Sequence, residues 1–509
     1  MRGALTIIKN TGFLYFRMIV MLIIAFFTSR VLLKELGIEN YGLYTIIAGV
    51  VAMFSSLRGA FTSSIQRFLN YEKGRGNFKH LQEIFSMGVN VHFIICVIFL
   101  LVTETLGLWF LNHKLVVPQD RLLAANWVYQ FSIAASLIVI MTIPQDAVII
   151  ANQRMNIYVY ITLLEAILKL LVVFIIPLVK IDALILYSIL ILCTSLIIRI
   201  ITYLYCRKHF SECRYFFYWN KPLFKKLGTF AGWNFLGNMT FSIINEGGNI
   251  ILNFFGGTVA NAARGITYQV RSAIEMFVNN IQIATSPHIT ETYAKKKYES
   301  FFALFYSISK ISFFITSVLC LPIIVNTSYL LHLWLKEVPE YTESFIRLTM
   351  YMLLIRVFHG PIDSILKAEG NIRLYQIIES ATLFLSLPMS FILLKSGFPL
   401  QYVFFSMIIF ETFNWIFILL IAAKTVHLNI IIYLKKVLLP SVLVLVINFS
   451  FFYLVKSKFF FTTIFENLLA ICLISALSCI TIWIIGLTQN EKNIIKAFLF
   501  SKLKRNNED

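Results

Sequence analysis

The chain has 509 residues, 59% of them hydrophobic and only 14% charged, with a mean hydropathy of +0.79. This composition excludes a soluble globular domain and identifies a polytopic membrane protein. The net charge of +19 does not imply nucleic acid, because Lys and Arg sit mainly in short loops between apolar runs, where they orient helices and meet anionic lipid.

Arg2 and Lys9 precede the first apolar run as in a signal peptide, but no small-x-small cleavage site follows, so an uncleaved first helix is expected. Fourteen runs of roughly 20 residues, the length that spans a bilayer, follow one another. Their cores are 11–33, 41–64, 83–103, 122–143, 157–178, 183–205, 229–255, 262–286, 301–325, 342–365, 373–394, 400–422, 434–454 and 465–486. The fourth and tenth are the least apolar, and a count of twelve stays open. The strongest basic clusters, such as Arg67/Lys73/Arg75/Lys79 and Lys295/Lys296/Lys297, fall on every second loop, which predicts both termini in the cytoplasm. Seven Cys without a CxxC or Cys/His cluster are expected as reduced, small hydrophobes.

The long basic loop from Cys206 to Gly228 divides the first twelve spans into six and six. Sliding the first half by 219 residues lays the Leu36-Gly37 turn on Phe255-Gly256 and the basic loop at Tyr71 to Lys79 on that at Thr290 to Tyr298. The expected domains are a six-helix bundle over 1–210, a second over 221–425, two further helices within 432–486 and a basic tail over 487–509. Parallel repeats of this kind place a transporter's substrate site between the halves.

Two spans carry polar stripes. Asn234, Asn238, Ser242, Asn245, Asn249 and Asn253 fall within an arc of about 100°, with Glu246 beside them. In the next span Arg264, Tyr268, Arg271, Glu275, Asn279, Gln282 and Ser286 share an arc of about 80°. Stripes this long predict a wet cavity, although amides also bind membrane helices together.

The segments Thr28 to Tyr44 (TSRVLLKELGIENYGLY), Pro144 to Tyr158 (PQDAVIIANQRMNIY), Asn253 to Val270 (NFFGGTVANAARGITYQV) and Ala284 to Ala294 (ATSPHITETYA) resemble polysaccharide flippases of the multidrug/oligosaccharidyl-lipid/polysaccharide (MOP) exporter superfamily, the group containing O-antigen and teichoic acid exporters. The resemblance runs from the N-terminus to about residue 425 and implies an all-α fold of two six-helix bundles around a central cavity. It also implies translocation of undecaprenyl-diphosphate-linked sugars by alternating access in the bacterial cytoplasmic membrane. In the related lipid II flippases, cationic residues on the first, second and eighth helices attract the diphosphate. The similar residues here are Arg17, Arg58, Arg264 and Arg271, and the last two spans resemble an additional helix pair found in those proteins.

Each site residue also has a structural reading. A charge at the bilayer centre costs about 2.5–3.5 kcal/mol on insertion scales, so intramembrane charges face protein or water. Arg17 can instead snorkel, Arg58 can pair with a carboxylate, and Arg264 can be an interfacial residue. Arg271 and Glu275, spaced i,i+4, form either a structural pair or a pair in which Glu275 takes Arg271 back when phosphate leaves. The stripe amides Asn234, Asn238, Asn245 and Asn249 suit sugar hydroxyls. Glu246, Glu275, Asp363, Glu379 and Glu411 are candidate carboxylates for coupling to H⁺ or Na⁺, and Asp363 beside His359 can also cap its helix. No cofactor is expected, since P-loop, metal and nucleophile motifs are missing.

The expected partners are the lipid-linked oligosaccharide, the coupling cation, membrane lipids and polysaccharide assembly enzymes, with no nucleic acid. A multidrug antiporter of the same superfamily is the alternative, for which carboxylates and aromatics would dominate over Arg. A membrane polymerase or glycosyltransferase would need a larger external domain than loops of at most about 18 residues allow.

Overall fold

The computed structural model describes residues 19–49, 65, 69, 78–152, 154–369, 373–458, 464–489 and 491–493. Its helices are α1 (19–49), α2 (Phe78–Val102), α3 (Leu108–His113), α4 (Leu122–Ala151), α5 (Met155–Ile175), α6 (Ala183–His209), α7 (Lys221–Ala294), α8 (Tyr298–Val325) and α9 (Thr327–Trp334). They continue with α10 (Thr342–Arg356), α11 (His359–Glu369), α12 (Arg373–Phe384), α13 (Ser386–Lys395), α14 (Tyr402–Thr425), α15 (Ile430–Tyr433), α16 (Leu439–Lys458) and α17 (Ile464–Thr481). Among the described residues ten helices are long and apolar enough to cross a membrane, and they coincide with ten of the fourteen expected spans. α7 supplies two more, and α1 covers the described parts of the first two. The protein is an all-α polytopic membrane protein.

The residues cluster into two compact units, one within Met1–Gln269, Trp334–Thr342 and Ser390–Leu400, the other within Val270–Leu333, Glu343–Met389 and Gln401–Asp509. In the first, α4 packs on α2 and α6, and the extended segment after α6 lies along α2. Gln82 and Asn90 donate to the carbonyls of Arg214 and Tyr218, while Ser86 Oγ accepts from the Phe216 amide. Steps of four on the helix meet steps of two on the extended chain, so one helical face satisfies backbone groups that have no ladder of their own. The basic midpoint loop is thereby pinned.

Both turns expected from the internal repeat rest on glycine in the left-handed region, with one correction of register. Gly37 has φ 74°, and its counterpart is Gly257 (φ 60°, ψ −158°), one residue beyond the position that the 219-residue slide gives. α7 is therefore two helices joined at Gly257 in a conformation that side-chain-bearing residues avoid. Gly42 allows the first turn to approach the second, since a Cβ there would overlap the carbonyl oxygen of Thr258.

In the second unit α8 is the central helix, buried over 72% of its most apolar stretch, whereas the span 466–486 is buried over only 22% of its own. The expected spans 342–365 and 373–394 are both broken. Pro361 lacks the N–H that would bond the carbonyl of Val357, and its ring crowds that carbonyl, so α10 ends at Arg356 and α11 begins at His359. Pro388 acts on Phe384 in the same way, and the chain leaves helix at Leu385. Ser406 Oγ then donates to the Ser386 carbonyl beside that break. The C-terminal helices dock on α8 through Tyr433 stacked on Phe305 (5.6 Å), Gly486 against the Phe314 ring, and Lys310 Nζ 2.7 Å from Glu491 Oε2. All seven cysteines are free thiols.

At the edge of the span that begins with α6, Arg121 holds Asp182 (2.7 Å) and Asn40 (2.8 Å), and Asp182 caps the amides of Leu184 and Ile185. Burial pushes the Asp182 carboxyl up, but the Arg121 guanidinium and those amides outweigh it and hold it below the usual carboxylate range. The stability this contributes is present above the unfolded value of about 3.9 and is lost as pH falls through the folded value. Arg121→Met is expected to flatten part of the acid limb of a melting-temperature profile. Gly257→Ala should cost about 1–3 kcal/mol, read as a lower melting temperature of the purified protein, because the ε region is essentially reserved for glycine.

Candidate functional site

The first polar stripe and the start of the second face each other across the Gly257 turn. Asn261 Nδ2 donates to the carbonyl (2.9 Å) and side-chain oxygen (2.7 Å) of Asn249, and its Oδ1 accepts from Asn253 Nδ2 (2.8 Å). Arg264 donates to the Asn245 carbonyl at 2.6 Å, and Asn245 reaches Glu246 at 3.2 Å. Asn249, Asn253, Asn261 and Arg264 are buried. Asn253 also accepts from the Val116 amide (2.9 Å) and donates toward the Val116 carbonyl (3.4 Å), serving as a strand-like partner for the extended segment before α4. These amides form a polar zipper that closes a helical hairpin and satisfies backbone that would otherwise be unpaired in hydrocarbon.

The second unit carries a chain of charges. Arg271 Nε lies 2.9 Å from Glu275 Oε1, the same oxygen lies 3.8 Å from Arg356 Nε, and Arg356 Nη1 lies 2.7 Å from Glu411 Oε1. His359 Nδ1 sits 3.6 Å from that Glu411 oxygen and 3.5 Å from Asn414 Nδ2. Four elements converge here because the Pro361 break places Arg356 and His359 at facing ends of α10 and α11, where α14 packs. The α11 N-terminus presents its positive dipole end to the Glu411 carboxylate. Glu379 on α12 interacts electrostatically with Arg356, and Tyr375 hydrogen-bonds Glu379 and Asp363. Asp363 also pairs with Lys367 (2.6 Å) toward the exposed end of α11.

Of the residues singled out from sequence, Asn245, Glu246, Asn249 and Arg264 come together in the hairpin, and Arg271, Glu275, Glu411 and Asp363 in the charge chain. Arg264 is buried. Arg17 and Arg58 lie outside the described residues, as do the side chains of Asn234 and Asn238. Sequence reasoning missed Arg356, His359 as a member of the chain, and Asn261. The insertion cost that singled out Arg58 applies equally to Arg356 inside 342–365 and would have found it. Asn261 shares the arc of the second stripe, at the same angle as Asn279, but lies one residue before the span as bounded at 262, so it was left out.

Removing one member of a buried ion pair leaves the other uncompensated, at about 3–5 kcal/mol. Arg356→Met is therefore expected to lower the melting temperature more than the double variant Arg356→Met/Glu411→Met. Asn261→Ala should cost about 1–3 kcal/mol, since it orphans buried groups of Asn249 and Asn253. Melting of purified single and double variants measures both.

A family model described as polysaccharide biosynthesis protein matches residues 7–293, and one described as MatE matches residues 235–392. No curated protein matches the sequence. Among solved structures, the inward-facing conformation of a multidrug resistance MATE family transporter of the MOP superfamily aligns with a TM-score of 0.65 at 12% identity, over 78% of this chain and 93% of that one. The outward-facing conformation of such a transporter gives 0.55 at 13% identity, over 80% and 93%. A MATE protein in its straight conformation gives 0.56 at 14%, over 80% and 95%. At these identities the likeness concerns fold. The family model spans more than half of a chain that folds as MOP superfamily transporters do, and the chain belongs to the polysaccharide biosynthesis protein family.

Proposed function

We propose that the protein is a carrier, not an enzyme, that moves a lipid-linked oligosaccharide repeat unit, attached through undecaprenyl diphosphate, across the bacterial cytoplasmic membrane by alternating access. The observation that carries this reading is the match to polysaccharide biosynthesis proteins over residues 7–293 on a transporter fold with arginines inside its spans. Arg271 is the residue suited to the diphosphate: its side chain is 12% exposed, and its partner Glu275 lies on the same helix, one turn away. A guanidinium recognises phosphate through several donors in one plane, and in low dielectric the contact is strong. Translocation is coupled to a cation gradient, with both termini in the cytoplasm, and the enzymes that build and polymerise the glycan are its partners.

The MatE match over residues 235–392 favours a second reading, export of organic cations. The two differ in what accumulates. Deletion of the gene in its source bacterium is expected to deplete surface polysaccharide and to accumulate undecaprenyl-diphosphate glycans inside, whereas hypersensitivity to cationic drugs with normal glycans would support the multidrug reading. Complementation with Arg271→Ala should restore membrane abundance but leave polysaccharide display about 10- to 100-fold down, the equivalent of one lost charge-assisted contact. Normal display by that variant would remove Arg271 from the mechanism.

A further inference from the structure

The charge chain ends on a group that can change its own charge. His359 and Arg356 both address Glu411 Oε1, at 3.6 and 2.7 Å, and Arg271 and Arg356 both address Glu275 Oε1, at 2.9 and 3.8 Å. Each carboxylate oxygen is thus shared by two competing cation positions. With His359 neutral, Arg271 pairs with Glu275 and Arg356 with Glu411, while Glu379 adds a third carboxylate near Arg356. Asn414 Nδ2 lies 3.5 Å from His359 Nδ1, a contact whose direction follows the tautomer of the imidazole. His359 and Glu411 are both more than nine-tenths buried, and among the described residues His359 Nε2 and Asn414 Oδ1 have no hydrogen-bond partner.

We propose that His359 is the proton acceptor whose charging draws Glu411 away from Arg356, sends Arg356 to Glu275, and so frees Arg271 for a diphosphate. A proton on Nδ1 turns that atom from acceptor into donor, with Glu411 Oε1 as the nearest carboxylate oxygen. Arg356 then has Glu275 as its alternative anion, already 3.8 Å from its Nε. The chain gains one positive charge, and Arg271 is left to share Glu275 with Arg356, which loosens its hold on that carboxylate. Arg356 is a positioning residue here: it touches no substrate and transmits the change.

His359, Asp363 and Lys367 stand at i,i+4 steps along α11, the buried Asp363 Oδ1 has no hydrogen-bond partner among the described residues, and Lys367 is exposed. The other charged groups facing His359 are Arg356 on α10 and Glu411 on α14, with Glu379 and Tyr375 on α12 one step further through Arg356 and Asp363. From α8, packed on α11, the lysine within the span is committed to Glu491. The proposal rests on the diphosphate reading of Arg271 and names the coupling ion as H⁺.

The test uses the full chain in lipid nanodiscs with geranyl diphosphate as probe. Affinity is expected to fall about tenfold per pH unit above the His359 midpoint, with uptake of one proton on binding seen by calorimetry in buffers of different ionisation enthalpy. His359→Gln and Glu411→Gln should each bind with a flat pH profile. Arg356→Lys should retain part of the slope that Arg356→Gln abolishes, which a merely structural role would not produce. A full slope in His359→Gln overturns the proposal. Independently of any ligand, histidine-selective isotope labelling follows the ring, and a His359 that stays neutral between about pH 5 and 8 also overturns it. If His359 titrates but neither wild type nor variants bind geranyl diphosphate, the diphosphate reading falls and the proton site stands.

Discussion

In hydrocarbon no water competes for a polar group, so every backbone break and every charge must be satisfied by the protein itself. The two polar networks answer that constraint in different ways. At Gly257 the chain reverses, and the amides of Asn249, Asn253 and Asn261 close on one another and on the backbone around Val116. At Pro361 a span is interrupted, and Arg356, His359 and Glu411 gather at the gap. Both sites follow from a residue that cannot continue a helix: glycine because it alone takes φ 60° with ψ −158°, proline because it lacks a donor.

Much of the fold was legible because a spanning helix must be about 20 apolar residues long, and that length leaves a direct mark on sequence. Hydropathy cannot register a break that keeps the run apolar. Val357-Phe358 and Leu385 are as hydrophobic as their neighbours, so 342–365 and 373–394 read as unbroken. Pro361 and Pro388 were the available signals, and the rule that proline disturbs the carbonyl four residues earlier locates each break. The repeat was visible as hydropathy, yet its register at the turn was misread by one residue because Gly256 and Gly257 are indistinguishable by composition. Only the dihedral separates them, and it selects Gly257.

The site was legible in part for a similar reason. Periodicity finds residues that share a face of one helix, and it found Asn245, Asn249, Arg271 and Glu275. It is blind to partners supplied by other helices. Asn261 meets Asn249 across a turn, and Arg356 meets Glu411 across 55 positions of sequence. A cost argument that asks of every intramembrane charge where its counter-charge lies reaches such residues without periodicity.

The chemistry of the two networks sets what each can do. The amides of the hairpin carry no net charge and do not titrate, so their hydrogen bonds are the same at any physiological pH and suit a fixed turn. The carboxylates and guanidiniums of the charge chain are individually costly to bury, and each is tolerable only while its neighbour is in place. Because each shared oxygen serves two cations, a displacement at one end need not create an orphan; it passes along to the next pair. A chain of alternating charges with one titratable end is thus easier to rearrange than a single buried pair of the same depth, since each carboxylate it gives up has a second cation within reach. That property, more than the presence of arginine alone, distinguishes the Arg271 to His359 chain from an ordinary helix-locking ion pair such as Lys310 with Glu491, whose carboxylate has no second cation among the described residues.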